Sequence, residues 1–356
     1  MKRILSIAAL VISGFCTSQA QTQTEAYIPG VTPDGAVYFL PKTAIRVTVQ
    51  IEKATYTPGD FAQYSDRYLR LKDVSMEPST IYRIVSVSQT AIGMRDTTKA
   101  YAVKFNNKTS AINVALADDG VILAVNTQPT PQVLPAPFKA AAKPAAVNPR
   151  QFMTEEILAA GSTAKMAQLT AAEIYDLRDS RSQLIKGQAD FMPQDAGQMK
   201  MMLAQIDQQD QALTSLFTGV TVRDTLEEAF IVRPDKELQK DPLFRFSKSC
   251  GLVDADDLSG TPYYITVQNQ TQLPSAEADA KKKKKAENGR YYNVPGKMRS
   301  TIHDGNNIIS REDFPAAQFG NVELLSGDLF NKHYGTRVRL NPVTGGIDKL
   351  EAEQPK

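Results

Sequence analysis

The hydrophobic period of this chain changes twice, and that change constrains the fold more than any single residue does. From 37 to about 126 apolar and polar residues alternate. AIRVTVQIE at 44–52 shows the period-two signature of a half-buried strand, and YRIVSV at 82–87 and YAVKF at 101–105 repeat it. AINVAL at 111–116, ADDG at 117–120 and VILAV at 121–125 read as a hairpin, with Asp119-Gly120 supplying the turn. GDFAQYSDRYLRL at 59–71 predicts a short helix between strands. From 162 to 186 the apolar residues fall at Met166, Leu169, Ala172, Ile174, Leu177, Leu184 and Ile185, which is helical spacing, and Gly187 stands where a C-terminal cap belongs. Pro193 suits the first turn of a second helix, whose apolar set is Met199, Met202, Leu203, Ile206, Leu213, Leu216 and Phe217, closed by Gly219. QQDQ at 208–211 leaves a polar gap in that stripe. Two such helices with a short connection predict an antiparallel αα-hairpin, each covering the other's stripe. From 220 alternation returns, in FRF at 244–246, YYITV at 263–267, YYNV at 291–294, and a closing hairpin of TRVRL at 336–340 and IDKL at 347–350.

The expected fold is therefore mainly β with an α insertion (α+β). A β unit at 21–126 is followed by a linker at 127–161, a helical hairpin at 162–219 and a second β unit at 220–356. Six prolines between 128 and 149 remove backbone donors and fix φ, so that stretch reads as a linker or extended strap. The two β units open alike: GAVYFLP at 35–41 and GRYYNVP at 289–295 share G-x-x-Y-x-φ-P at an offset of 254. Each also ends in a hairpin. Two sandwich-like units related by duplication are the expectation, with chance similarity between β-rich segments as the alternative.

The first twenty residues read as an address. Lys2 and Arg3 form a basic start, an apolar run follows at 4–12, and Ser18 and Ala20 place small residues before a cut between Ala20 and Gln21. The apolar run is too short for a comfortable membrane span. Lipidation at Cys16 is the rival, but a lipobox wants a small residue where Phe15 stands. Removing Lys2 and Arg3 with that segment takes the formal net charge from +2 to 0, so no global basic bias suits nucleic acid. Cys250 is then the one cysteine left, which excludes an internal disulfide and a CxxC zinc site; it reads as a small buried apolar residue.

Several stretches resemble a known family. They are GAVYFLPKT at 35–43, residues 64–71, ADDG at 117–120, residues 174–187, LFTG at 216–219, QFG at 318–320 and residues 324–330. The chain is similar over nearly all of its mature length to an exported Bacteroidota family, the domain of unknown function numbered 4831. The resemblance carries no catalytic residue. It implies a Gram-negative cell envelope, and with that origin O-glycosylation at Asp-Ser/Thr motifs, which DTT at 96–98 and DTL at 224–226 fit through Thr97 and Thr225. Glycans are surface-confined additions.

Candidate chemistry is sparse. Ser162 and Lys165 form S-x-x-K, the nucleophile motif of penicillin-interacting enzymes, in which a lysine one helical turn away takes the serine proton. Tyr291-Tyr292-Asn293 could pass for the Y-x-N element of such enzymes, and His333-Tyr334-Gly335 stands where a K-T-G strand would be sought; no K-T-G is present. Ser162 reads better as a helix N-cap. His303 and His333 have no partner at metal-ligand spacing. Asp254, Asp256 and Asp257 are weak calcium candidates that lack the EF-hand register and read as a solvated acidic turn. Lys281, Lys282, Lys283, Lys284 and Lys285 within the 275–288 loop repel one another; a solvated loop is the expected reading, and contact with anionic lipid headgroups the alternative.

The sequence thus predicts an exported periplasmic protein, beside the outer membrane, that needs no cofactor and acts as a non-enzymatic binding or scaffold protein for another envelope protein. The alternative is a serine hydrolase acting on cell-wall peptides through Ser162 and Lys165. Strand edges, a helical arm and the face carrying Met199, Met201 and Met202 are the surfaces offered to a partner.

Overall fold

The computed structural model describes residues 24–28, 36–103, 113–142, 147–254, 256–272, 289–330 and 335–353. Ala20, Gln21, Cys16, His333 and the five lysines at 281–285 lie outside the described residues. The elements in chain order are β1 (Thr24–Ala26), β2 (Ala36–Thr57), α1 (Ser65–Leu69), β3 (Ser79–Val103), β4 (Val114–Leu116), β5 (Ile122–Val125), α2 (Glu155–Leu158), α3 (Thr163–Lys186), α4 (Ala196–Thr218), β6 (Val220–Val232), β7 (Leu238–Ser247), β8 (Gly251–Val253), β9 (Thr261–Asn269), β10 (Gly289–His303), β11 (Ile308–Ser326), β12 (Gly335–Leu340) and β13 (Ile347–Glu353). The protein is mainly β, with three antiparallel sheets ordered β1-β3-β2-β6, β11-β10-β9-β7-β8 and β13-β12-β5-β4.

The β regions do not form two separate units. β6, from the second region, pairs with β2 along its whole length, and β12 pairs with β5, so two of the three sheets mix strands from both. The physical reason lies in β2. At 22 residues it outruns any one core, so its alternating inward side chains serve two. Val47, Val49 and Ile51 pack against Ile265 and Val267 of β9 and Met298 and Ile302 of β10, making the first two sheets a sandwich. Phe230 stacks on Phe244 at 5.3 Å and Phe244 on Tyr263 at 4.7 Å across that core. Each fully buried aliphatic side chain there contributes about 1.5–3 kcal/mol. At the other end, Tyr38 and Leu40 pack with Ile122, Val125, Val338 and Leu340 of the third sheet.

Both long hairpins carry the same irregularity. In β2–β3 the register jumps between Phe39↔Ala100 and Pro41↔Arg95, so four residues, 96–99, stand opposite one. In β10–β11 it jumps between Val294↔Asn321 and Gly296↔Ala316, and residues 317–320 stand opposite one. Pro41 and Pro295, lacking a ladder donor, sit at these breaks. The G-x-x-Y-x-φ-P phrases nevertheless occupy different faces. Tyr38 is buried opposite Tyr101, whereas Tyr292 is half-buried opposite Glu323. The break falls at Leu40 in one phrase and at Pro295 in the other, a one-residue offset that turns each side chain over.

Each bulge seats on the other hairpin. The buried Thr43 of β2 donates its N–H to Gln318 Oε1 (3.1 Å) and accepts at its carbonyl from Gln318 Nε2 (2.9 Å). Its Oγ1 accepts from Ala317 N–H (3.2 Å). Reciprocally, Lys99 Nζ in the first bulge donates to Asn293 Oδ1 of β10 (3.4 Å), and Asn293 Nδ2 donates to Pro41 O and Thr344 O (2.8 Å each). Gly345, at φ +71°, closes the junction; a Cβ there would lie 2.7 Å from Pro41 Cδ.

The helices form a third core of Phe61, Leu69, Ile174, Leu213 and Phe217. The stretch at 127–161 is not all linker, because Met153 and Ile157 are buried in this core and α2 lies within it. Ser162 caps α3 by accepting from Lys165 N–H (3.3 Å), and Gly187 ends it at φ +70°. Asp195 caps α4, so Pro193 precedes the helix rather than opening it. Ion pairs bind the helices in and just before the polar gap of α4: Arg178–Asp210 at 3.0 Å and Arg181–Asp207 at 2.6 Å. Among the described residues no helix is long and apolar enough to cross a membrane.

Gln318→Ala strips partners from both buried backbone groups of Thr43. It is expected to lower the unfolding free energy by about 2–4 kcal/mol in urea denaturation, with an unchanged m-value. A second expectation concerns pH. Burial pushes the Tyr38 hydroxyl well above the ordinary tyrosine range, offset in part by its hydrogen bond from Tyr291 N–H (3.0 Å). The folded state holds this proton more tightly than the unfolded chain does. Its contribution is complete below about pH 10 and is lost as pH rises beyond that. Stability measured above pH 10 should therefore fall less steeply in Tyr38→Phe than in the parent protein.

Candidate functional site

An open cleft of about 1180 Å³ lies on the face of the first sheet that points away from the sandwich. Its floor follows from strand alternation. Odd-numbered residues of β2 enter the core through Ile51, so Glu52, Ala54 and Tyr56 face outward. The register sets Arg83, Ile81 and Ser79 of β3 beside them on one flank and Thr225, Arg223 and Thr221 of β6 on the other. The far wall is the segment after α1, from Arg70 to Ser75. Tyr56 Oη anchors that wall, lying 2.8 Å from Ser75 O and 3.1 Å from Thr218 O at the end of α4.

The electrostatics are lopsided. Four cationic side chains, Arg70, Lys72, Arg83 and Arg223, line the cleft against two carboxylates, Glu52 and Asp73. A single oxygen, Glu52 Oε1, receives both Arg223 Nη1 (2.9 Å) and Arg83 Nη2 (3.2 Å). Glu52 is 20% exposed while the arginines are 63% and 69% exposed. The carboxylate therefore acts as a post that holds two guanidiniums side by side, with most of their N–H groups turned to solvent. Ile81, Ala54 and Leu71 leave apolar surface between the charges, and Ile81 is 56% exposed. Arg70 caps α1 at φ 59°, a conformation that favours glycine.

The sequence-based candidates do not converge on this cleft or on one another. Ser162 and Lys165 are exposed at the start of α3, where Ser162 Oγ serves the helix as its cap. Asn293 is buried at the junction of the hairpins and spends its amide on Pro41 and Thr344. Among the described residues no three metal-ligating side chains gather. Asp257 accepts from Ser259 N–H (2.8 Å), and that backbone hydrogen bond holds its carboxyl below the usual range. His303 stacks on Tyr264 at 5.7 Å and contacts Thr266 Oγ1 at 3.3 Å. Cys250 is exposed, not buried as its residue type suggested; it stands in the turn between β7 and β8, followed by Gly251 at φ +79°. Thr97 and Thr225 are both exposed, one in the first bulge and one on the outer face of β6.

The cleft residues carry no spacing motif, because three strands and a loop supply them from positions 52 to 223. The available signal was the polar phase of β2, in which Arg46, Thr48, Gln50 and Glu52 mark an outer face, but only the register brings Arg83 and Arg223 to Glu52.

Fold and cleft together define a three-sheet antiparallel β protein with a helical arm and an outward cationic groove. The chain belongs to the family described as Domain of unknown function (DUF4831), whose model matches residues 34–348. No curated protein and no solved structure matches the chain.

Replacing Arg70 by glycine relieves the left-handed backbone. Arg70→Gly is expected to raise the unfolding free energy by about 0.5–1 kcal/mol in thermal denaturation, the strain relieved exceeding the entropy that glycine costs.

Proposed function

We propose that this protein is an exported, non-enzymatic binding protein of a Gram-negative cell envelope, and that its partner adds an extended segment to the outer edge of β6. One observation carries the reading. β6 pairs with β2 over all 13 of its residues and is the end strand of its sheet, with no described strand on its other side. Alternate N–H and C=O groups along that edge therefore face outward. Val222 and Leu226 beside it are 43% and 45% exposed, on the face that β6 carries beyond the sandwich core, and supply the alternate apolar sites that strand addition uses for specificity. Compartment and origin rest on the expected signal sequence and the Bacteroidota resemblance. The two four-residue bulges support a common ancestry for the β2–β3 and β10–β11 hairpins, with α3 and α4 as an αα-hairpin inserted between them. The tip of that hairpin, where Phe191 is 69% and Met201 74% exposed, is a secondary contact for the same partner.

Charge on an edge strand blocks pairing without disturbing its inner ladder. Val222→Lys with Leu226→Lys is expected to abolish the crosslinked partner recovered from intact envelopes while leaving the far-ultraviolet circular dichroism unchanged. Recovery of the same partner at parental yield would contradict the assignment of the β6 edge.

A further inference from the structure

We infer that the cleft on the outer face of the first sheet binds an amphipathic anion: a phosphate or carboxylate carried on an apolar body. This site lies on the outer face of the sheet, to which β6 contributes Thr221 and Arg223, and its argument does not depend on the partner reading. Its charge is the first reason. The lining carries four cations against two carboxylates, and the two best-placed cations are preorganised. Arg83 of β3 and Arg223 of β6 flank β2 on the same face of the sheet, each tied to Glu52 Oε1, so their position is set by two strand registers before any ligand arrives. A planar guanidinium already held by one bond loses less freedom on taking an oxyanion, and it presents parallel donors that match phosphate or carboxylate oxygens.

The apolar surface of floor and wall is the second reason. Ile81 and Leu71, 56% and 37% exposed, lie among these charges. Covering them removes apolar area from water, which an inorganic ion cannot do. The third is the wall. Arg70 stays in a left-handed conformation where glycine would be relaxed, and that conformation directs the chain into the Lys72 segment pinned by Tyr56.

The test measures binding of four probes below their micelle concentrations by isothermal titration calorimetry: dodecyl phosphate, dodecanoate, dodecyl maltoside and inorganic phosphate. At least one of the anionic amphiphiles should bind about tenfold more tightly than either control, with an affinity that falls as salt is raised. Their order identifies the head group as phosphate or carboxylate. Arg83→Gln with Arg223→Gln should weaken binding about tenfold or more. Because that variant leaves Glu52 without its partners, Arg70→Gln with Lys72→Gln on the exposed wall is measured in parallel and should also weaken binding. Equal binding of dodecyl maltoside, equal binding of inorganic phosphate, or unchanged affinity in the wall variant would overturn the inference.

Discussion

The structure depends on the reciprocal seating of two bulges. A sandwich built from hairpins as long as β2–β3 and β10–β11 has few features to stop one sheet sliding over the other, since hydrophobic contacts are non-directional. Hydrogen bonds supply the missing direction. Gln318 reads both backbone groups of Thr43, and Asn293 reads the carbonyls of Pro41 and Thr344 from the opposite side. Thr43 is 1% exposed and Asn293 0%, so these groups have no water to fall back on. A slip of one residue would orphan them all, at about 1–3 kcal/mol per group. The sheets are thus set in one register by a few polar contacts within a mostly apolar interior.

That setting explains why the chain does not divide at its helical insert. β2 is long enough to enter both the sandwich and the Tyr38 core. Once it has done so, β6 and β12 find their partners in the first half of the chain. The helical arm is then carried between β5 and β6, packed at its base on Phe61 and Leu69 and joined further out by Arg178–Asp210 and Arg181–Asp207. Surface ion pairs of this kind are worth little individually, so the arm's outer half is its least stable part.

Local structure was legible wherever one residue type or one period decided it. The alternation at 44–52, the Asp119-Gly120 turn, the Ser162 cap and the Gly187 terminus all express short-range rules. What was not legible came from pairing across the chain. The G-x-x-Y-x-φ-P phrase suggested equivalent tyrosines, yet a one-residue displacement of the bulge put Tyr38 inside and Tyr292 half outside. Cys250 was misread because its turn, and not its side chain, decides its exposure. The cleft was invisible for the same reason as the sheet order. Glu52, Arg83 and Arg223 become neighbours only through two strand registers that no local pattern specifies.

The central claim is that β6, an end strand of the first sheet, presents its outer edge to a partner strand. Amide hydrogen exchange of the isolated protein, read residue by residue, tests it most directly. Amides of β2 from Ile45 to Tyr56, flanked by β3 and β6, should exchange slowly, while those of β6 should alternate between slow and fast as successive N–H groups point toward β2 and away from it. Uniformly slow exchange along residues 220–232 would mean that the edge is already covered, and would contradict the account.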